Sequence, residues 1–334
     1  MAPNIGWKSW WWLLAALPLP ASQAAGSFTV SAAQLHVGMC DASAAVALSG
    51  TLFAVGNDED NVLRVYRNDR PGAALEEVNL TSALRVDPRF PETDLEGAAR
   101  VGDRIYWITS HGRNQDGEDR PSRRRFFATD VKVEGEQVRL QFVGAPYTHL
   151  LSDLAKDRRY EAFRLAQAAT RAPKAPGGLN IEGLCAAGDG SLLIGFRNPV
   201  PGNHALVVPL RNPAEVIEGR PGQFGEPILL DLGGYGVRDF GMLDGQGVII
   251  AGAFDGKGKP RLYLWSGAGR TPRLLEDVRF KQLNPEAVVL YPGQGLQHIQ
   301  ILSDDGTRRV ERDPRNQGTT AAQKSFRSVW LDRR

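Results

Sequence analysis

The sequence is poor in the residues that most often announce a chemistry. Two cysteines, three methionines and five histidines occur in 334 residues. C-x-x-C, H-E-x-x-H, G-x-S-x-G and the phosphate-cradling P-loop are all absent, which removes the common signatures of thiol, zinc, serine-hydrolase and nucleotide chemistry. In an oxidising compartment Cys40 and Cys185 are permitted one disulfide, though a geometrically demanding one; otherwise they are two small buried side chains. Net charge is also missing: Lys and Arg total 40 against 38 Asp and Glu, a balance of +2. That leaves no bulk electrostatic case for nucleic acid or an anionic membrane. No apolar run reaches bilayer-spanning length. The longest, Trp10–Pro20, follows Lys8 and precedes Ala21-Ser22-Gln23-Ala24. Residues 1–25 therefore read as a secretory signal cut near Ala24 or Ala25. The mature chain, 26–334, is expected to be one soluble, monomeric domain, periplasmic or secreted, with no stable membrane span.

Glycine (37) and proline (21) are plentiful together, favouring short turns over long helices. Their distribution is repetitive. Asp94-Leu95-Glu96-Gly97-Ala98-Ala99 aligns without a gap on Asn180-Ile181-Glu182-Gly183-Leu184-Cys185. Modules begin at Asp41, Asp94, Asn180, Val237 and Asn284, mostly about fifty residues apart, and each reads as four short strands. This predicts an all-β fold, a β-propeller, with five blades favoured over six. Phe28–Val37 and Phe326–Leu331 are further strands, one of which is expected to complete the last blade and close the ring. The second module is overlong. Its excess, about residues 148–172, carries Leu151, Leu154, Phe163 and Ala166 at amphipathic spacing and is read as a helix pair inserted after the second blade.

Stacking the modules produces two polar columns. The first is Asp41, Asp94, Asn180, Val237 and Asn284; two residues on, the second is Ser43, Glu96, Glu182, Asp239 and Glu286. A strand period of two puts both on one side of each first strand, at one mouth of the central channel. The loops leaving the second strands, with His111, Arg113, Asn114, Arg197 and Asn198, belong to the same face. Converging carboxylate and amide oxygens suit a hard cation, Ca²⁺ best. Asp94, Glu96, Asn180, Glu182, Asp239, Asn284 and Glu286 are the candidate ligands. Arg113, Asn114, Arg197, Asn198 and Arg238 offer donors to a small anionic ligand or substrate. His111, with Glu96 and Glu182, is the candidate acid–base set for metal-assisted hydrolysis of an anionic ester. The same residues also admit plainer roles. Repeated acids at blade starts can clamp backbone N–H groups of neighbouring blades, the arginines can pair with them, and the mouth can bind a ligand or partner protein without catalysis. The run Arg120–Arg125, beside Asp116, Glu118 and Asp119, reads as a solvated hairpin turn.

The segments CDASAAVAL, DEDNVLRVY, DLEGAARVGDRIYWITSHGRN, GGLNIEGL, GFRNPVPG, LDLGG with VRDF, LNPEA and LSDDG, in this order from about Asp41 to Leu331, resemble the bacterial domain of unknown function family 3616. The resemblance implies an exported, propeller-like protein and brings no activity with it. The Glu-Gly strand starts are more distantly similar to secreted propellers of the phytase-like esterase kind.

Overall fold

The computed structural model describes residues 27–306 and 324–334; the signal sequence read at 1–25 lies outside the described residues. Five antiparallel sheets follow one another along the chain as propeller blades. The first is Ala42–Ala47, Leu52–Asn57, Val62–Arg67 and Glu76–Asn79, and the second Leu95–Val101, Arg104–Thr109, Phe126–Glu134 and Gln137–Tyr147. The third is Asn180–Ala186, Leu192–Asn198, Ala205–Leu210 and Ile228–Leu230, and the fourth Gly236–Leu243, Gln246–Gly252, Arg261–Trp265 and Arg273–Leu274. Blade five joins both ends of the chain: Pro285–Leu290, His298–Ser303 and Ser325–Arg333 pair in order, and Phe28–Val30 with Gln34–Val37 form its outer edge. Both of the extra strands expected from the sequence thus serve in ring closure.

The first strand of each blade touches its counterparts in the two neighbouring blades, so these five strands line the axis. Each blade buries both faces, which is why its strands read as nearly continuous apolar runs. Five apolar clusters fill the five interfaces. Trp107 and Phe127 sit between blades one and two, Phe240 and Trp265 between three and four, and Phe53, Tyr66 and Phe326 between five and one.

The insertion is a pair of short α-helices, Leu150–Lys156 and Leu165–Ala168, joined by a 3₁₀ turn at Arg158–Phe163. Its buried side chains are Leu150, Leu154, Tyr160, Leu165 and Ala168, wedged against blades two and three. Of the four residues expected to face inward, Leu154 does so fully, Leu151 and Phe163 are half-buried, and Ala166 is exposed. Extended Asp157 and left-handed Arg164 (φ +50°) break the helical phase twice, so a single 3.6-residue register cannot run through the segment. Cys40 and Cys185 are both free thiols. Among the described residues no helix is long and apolar enough to cross a membrane.

Candidate functional site

Every axial strand opens with a β-bulge, and the bulged residue is the same in each blade. Pairing steps from Leu95↔Thr109 to Gly97↔Ile108, leaving Glu96 unpaired. The same skip isolates Ser43, Glu182, Arg238 and Glu286. A bulge bends its strand and re-aims the side chain it frees. The ring of equivalent positions is therefore Ser43, Glu96, Glu182, Arg238 and Glu286. This corrects the fourth blade by one residue: Arg238, and not Asp239, stands level with the glutamates. The column before it corrects likewise to Asp41, Asp94, Asn180, Gly236 and Asn284. Gly236 breaks the polar pattern because a Cβ there would overlap the Arg197 carbonyl.

Asp239 occupies the next position along, where blades two and three carry Gly97 and Gly183. That position faces the axial strand of the following blade. A Cβ on Gly97 would lie 2.8 Å from the Leu184 amide nitrogen. In blade four the Asp239 carboxylate fills the corresponding gap and accepts the Val288 N–H at 2.7 Å. Burial pushes Asp239 well above the usual carboxylate range, with the Val288 and Phe240 amides pulling the other way. Asp239 is a clamp between blades.

The glutamates converge. One carboxylate oxygen from each of Glu96, Glu182 and Glu286 lies within 4.8 Å of the others, and the three residues are 8, 3 and 6% exposed. Arg197 Nη1 donates to Glu182 Oε1 at 2.6 Å, as does Asn180 Nδ2 at 2.6 Å, while Arg197 Nε donates to the Ala253 carbonyl at 3.0 Å. Arg238 pairs with Glu286 and lies 3.7 Å from Glu182 Oε2, beyond hydrogen-bond reach. Its Nη1 donates to Asn284 Oδ1 at 2.8 Å, and Asn284 donates in turn to Asp304 Oδ2 at 3.0 Å. Among the described residues, Glu182 Oε2 is buried without a hydrogen-bond partner.

Charge is unevenly spread around this mouth. Blades three and four bring Arg197 and Arg238. Blades one, two and five bring Asp41, Asp58, Glu96 and Asp304. Burial, then the Asp94, Glu182 and Asp58 charges, drive Glu96 well above the ordinary carboxylate range. Burial with Asp41, Asp94 and Asp304 nearby raises Asp58 to about 9; burial and Asp304 raise Asp41 to about 7. Asp94 rises to about 6 through burial, held back by Arg123, whose Nη1 donates to it at 2.8 Å. Burial and the neighbouring Arg197 lower Arg238 to about 10. Like charges held this close demand protons or a cation.

The remaining predicted residues stand apart from the cluster. His111, 1% exposed and at φ +55°, donates from Nδ1 to the Thr109 carbonyl at 2.8 Å. Burial holds it near 4, hence neutral, and Nε2 is sealed without a partner. Asn114 organises a local turn with Glu118. Arg113 donates to the Ala169 and Gly117 carbonyls, and Asn198 Nδ2 to those of Pro173 and Ala175. All four are held by their own chain, which removes Arg113, Asn114 and Asn198 as free donors and His111 as an accessible base.

Three participants escape the sequence pattern. Asp58 lies in a loop whose run of Asp, Glu and Asn gives no cue to which side chain turns inward; its Oδ1 is buried and, among the described residues, has no hydrogen-bond partner. Asp304 is in a similar run. Arg123 sits in the Arg120–Arg125 segment read as solvated, yet it anchors Asp94 and Glu92, and Arg125 is buried against the Leu84, Arg85 and Pro121 carbonyls. The neighbouring acids Asp116, Glu118 and Asp119 masked both roles.

Among solved structures, the chain is similar to Myxococcus xanthus glutaminyl cyclase (11% identity, 92% of this chain and 98% of that one, TM-score 0.45). It is also similar to a putative oxidoreductase (glucose dehydrogenase) from Thermus thermophilus (14%, 91% and 100%, 0.46) and to the PQQ-bound aldose sugar dehydrogenase from Streptomyces coelicolor (14%, 92% and 99%, 0.42). At these identities and scores the likeness says nothing of chemistry. No curated protein matches the chain. A family model described as a protein of unknown function (DUF3616) matches residues 129–300.

Proposed function

The chain belongs to DUF3616, a family of proteins of unknown function, and we propose that it is an exported propeller whose axial mouth binds a hard divalent cation, Ca²⁺ in the first instance. The observation that carries this is the convergence of Glu96, Glu182 and Glu286 within 4.8 Å, with Glu182 Oε2 buried and, among the described residues, without a hydrogen-bond partner. The donor set fits: it is all oxygen, as calcium prefers, and bonds of about 2.3–2.6 Å to three such oxygens need only a small contraction. The charge fits as well. Asp41, Asp58, Glu96, Glu182, Glu286 and Asp304 outnumber Arg197 and Arg238 at this mouth, an excess of acid that a dication together with protons offsets. Asn180 and Asn284 hold Glu182 and Arg238 in place; Asp94 is balanced by Arg123 and stays outside the ligand set.

Binding is preferred here to ester hydrolysis. The arginines meant for an anionic substrate are engaged with protein groups, and His111 is sealed from the mouth. The Glu-Gly strand starts, which carried the likeness to phytase-like esterases, have a structural origin: a bulge frees the Glu and blade contact requires the Gly. Export rests on the N-terminal sequence pattern alone.

The test is thermal unfolding of the purified mature chain at pH 7.5 in calcium and in chelator. Calcium at about 100 times its Kd adds about 2.7 kcal/mol, several degrees in Tm. Identical melting in both would end the cation reading.

A further inference from the structure

We propose that residues 171–178 form a strap that gates the mouth, with Asn198 as its latch; the gating part rests on the cation reading above. The segment lies between two buried anchors, Ala168 at the end of the insertion and Leu179 at the start of blade three. It carries Pro173, Pro176, Gly177 and Gly178; Pro173 and Gly178 are buried, while Arg171, Lys174, Pro176 and Gly177 are exposed. Its middle reaches three blades. Pro173 lies beside Gly112 in the blade-two loop; Asn198 of blade three donates both amide hydrogens to the strap, to Pro173 O at 2.7 Å and Ala175 O at 2.8 Å; and Lys174 stretches beside Gly256 in the blade-four loop, where Arg197 also lies. Arg113 holds the strap's approach through Ala169 O at 3.0 Å.

Asn198 is 1% exposed and sits opposite Asn180, two residues from Glu182, in the strand register. The side chain that fixes the strap thus stands on the same short stretch of blade three as the axial cluster. Apart from the Asn198 and Arg113 bonds, the strap's hydrogen bonds among the described residues are one at its base, Arg171 N–H to Ala168 O, and three that close its own turns: Ala175 N–H to Ala172 O, Gly178 N–H to Ala175 O and Arg171 Nη1 to Pro176 O. It can therefore swing about that base by giving up the bonds to Asn198. Asn198 is a positioning residue: it controls passage to the site and supplies no ligand atom to it.

The experiment has two arms on the full mature chain, comparing wild type with Asn198→Ala and the isosteric Asn198→Asp, which sets a carboxylate against the two carbonyls. In the first, Tb³⁺ serves as the probe ion and its association and dissociation are followed by stopped-flow luminescence. Losing two hydrogen bonds of ordinary strength should favour the lifted state about thirtyfold. Both rate constants should rise by about that factor or more, with Kd changed less than about twofold. A rise in dissociation alone would mean a distorted site and would overturn the gate, as would unchanged rates in a folded variant. In the second arm, trypsin cleavage at Lys174–Ala175 is timed by mass spectrometry: faster cutting in both variants supports the latch, and wild-type rates overturn it. Should the wild type take up no Tb³⁺, the cation reading falls and cleavage alone decides whether Asn198 latches the strap.

Discussion

At the scale of single residues, the axial cluster is legible in part from the sequence. Glu96, Glu182 and Glu286 stand out because the Glu-Gly or Glu-Ala pairs recur at module starts. Arg238 is legible as a donor but not as the fourth blade's member of the ring, because Gly236 interrupts the polar column and invites a one-residue slip to Asp239. A slip of one exchanges the two faces of a strand, here a site residue for a blade clamp. The two roles separate experimentally. Asp239→Ala orphans the buried Val288 N–H and should cost about 1–3 kcal/mol. Asp239→Asn keeps an acceptor and should be nearly as stable as wild type, as chemical denaturation would show. Titration gives a second prediction. A carboxyl whose folded pKa is raised binds its proton more tightly in the native state, so stability is lost as pH climbs from the unfolded value toward the folded one. Asp41 and Asp58, at about 7 and about 9, place part of that loss above neutrality. His36 and His111, both held near 4 by burial, act in the opposite sense only below their ordinary value and drop out there. The chelated protein should therefore melt lower at pH 8.5 than at pH 7, with calcium reducing the difference. A higher Tm at pH 8.5 without calcium would contradict this electrostatic account.

At the scale of elements, strands were easier to read than the insertion. Two-sided burial writes blade strands as apolar runs bounded by glycine turns, and the strand positions follow from that alone. The insertion's inward face could not be read the same way, since Asp157 and Arg164 reset its phase through backbone conformations that hydrophobic spacing does not encode. The bulges were equally hidden: a skipped residue leaves no compositional mark. Their consequence is testable at Gly97, where the following blade's backbone passes too close for a side chain. Gly97→Ala sets a Cβ against the Leu184 nitrogen and Ile108 Cγ2 and should destabilise by about 1–3 kcal/mol. An unchanged denaturation midpoint would show that the blades can part there at no cost.

At the scale of the whole molecule, the ring is closed by pairing Phe28–Val30 and Gln34–Val37 with Ser325–Arg333, so the chain's two ends meet in one blade. The sequence showed these strands but not that both would serve blade five, since partner choice depends on contacts almost the full chain apart. Deleting residues through Gly38 should uncover that strand edge, strip His36 from its place against Phe53, Tyr66 and Phe326, and leave a protein that melts lower or associates on gel filtration. A monomer of wild-type Tm would show that the closure is dispensable. The closed ring also explains why charge collects where it does: five bulges at one level bring distant acids and arginines to a single axis.

The account therefore turns on what that axis holds. Calorimetric titration of residues 26–334 with CaCl₂ at pH 7.5, repeated on Glu96→Gln and Asp239→Asn, tests it most directly. One site per chain in the wild type, affinity retained in Asp239→Asn and weakened at least about tenfold in Glu96→Gln is the predicted result. No binding by the wild type, or equal affinity in Glu96→Gln, would contradict it.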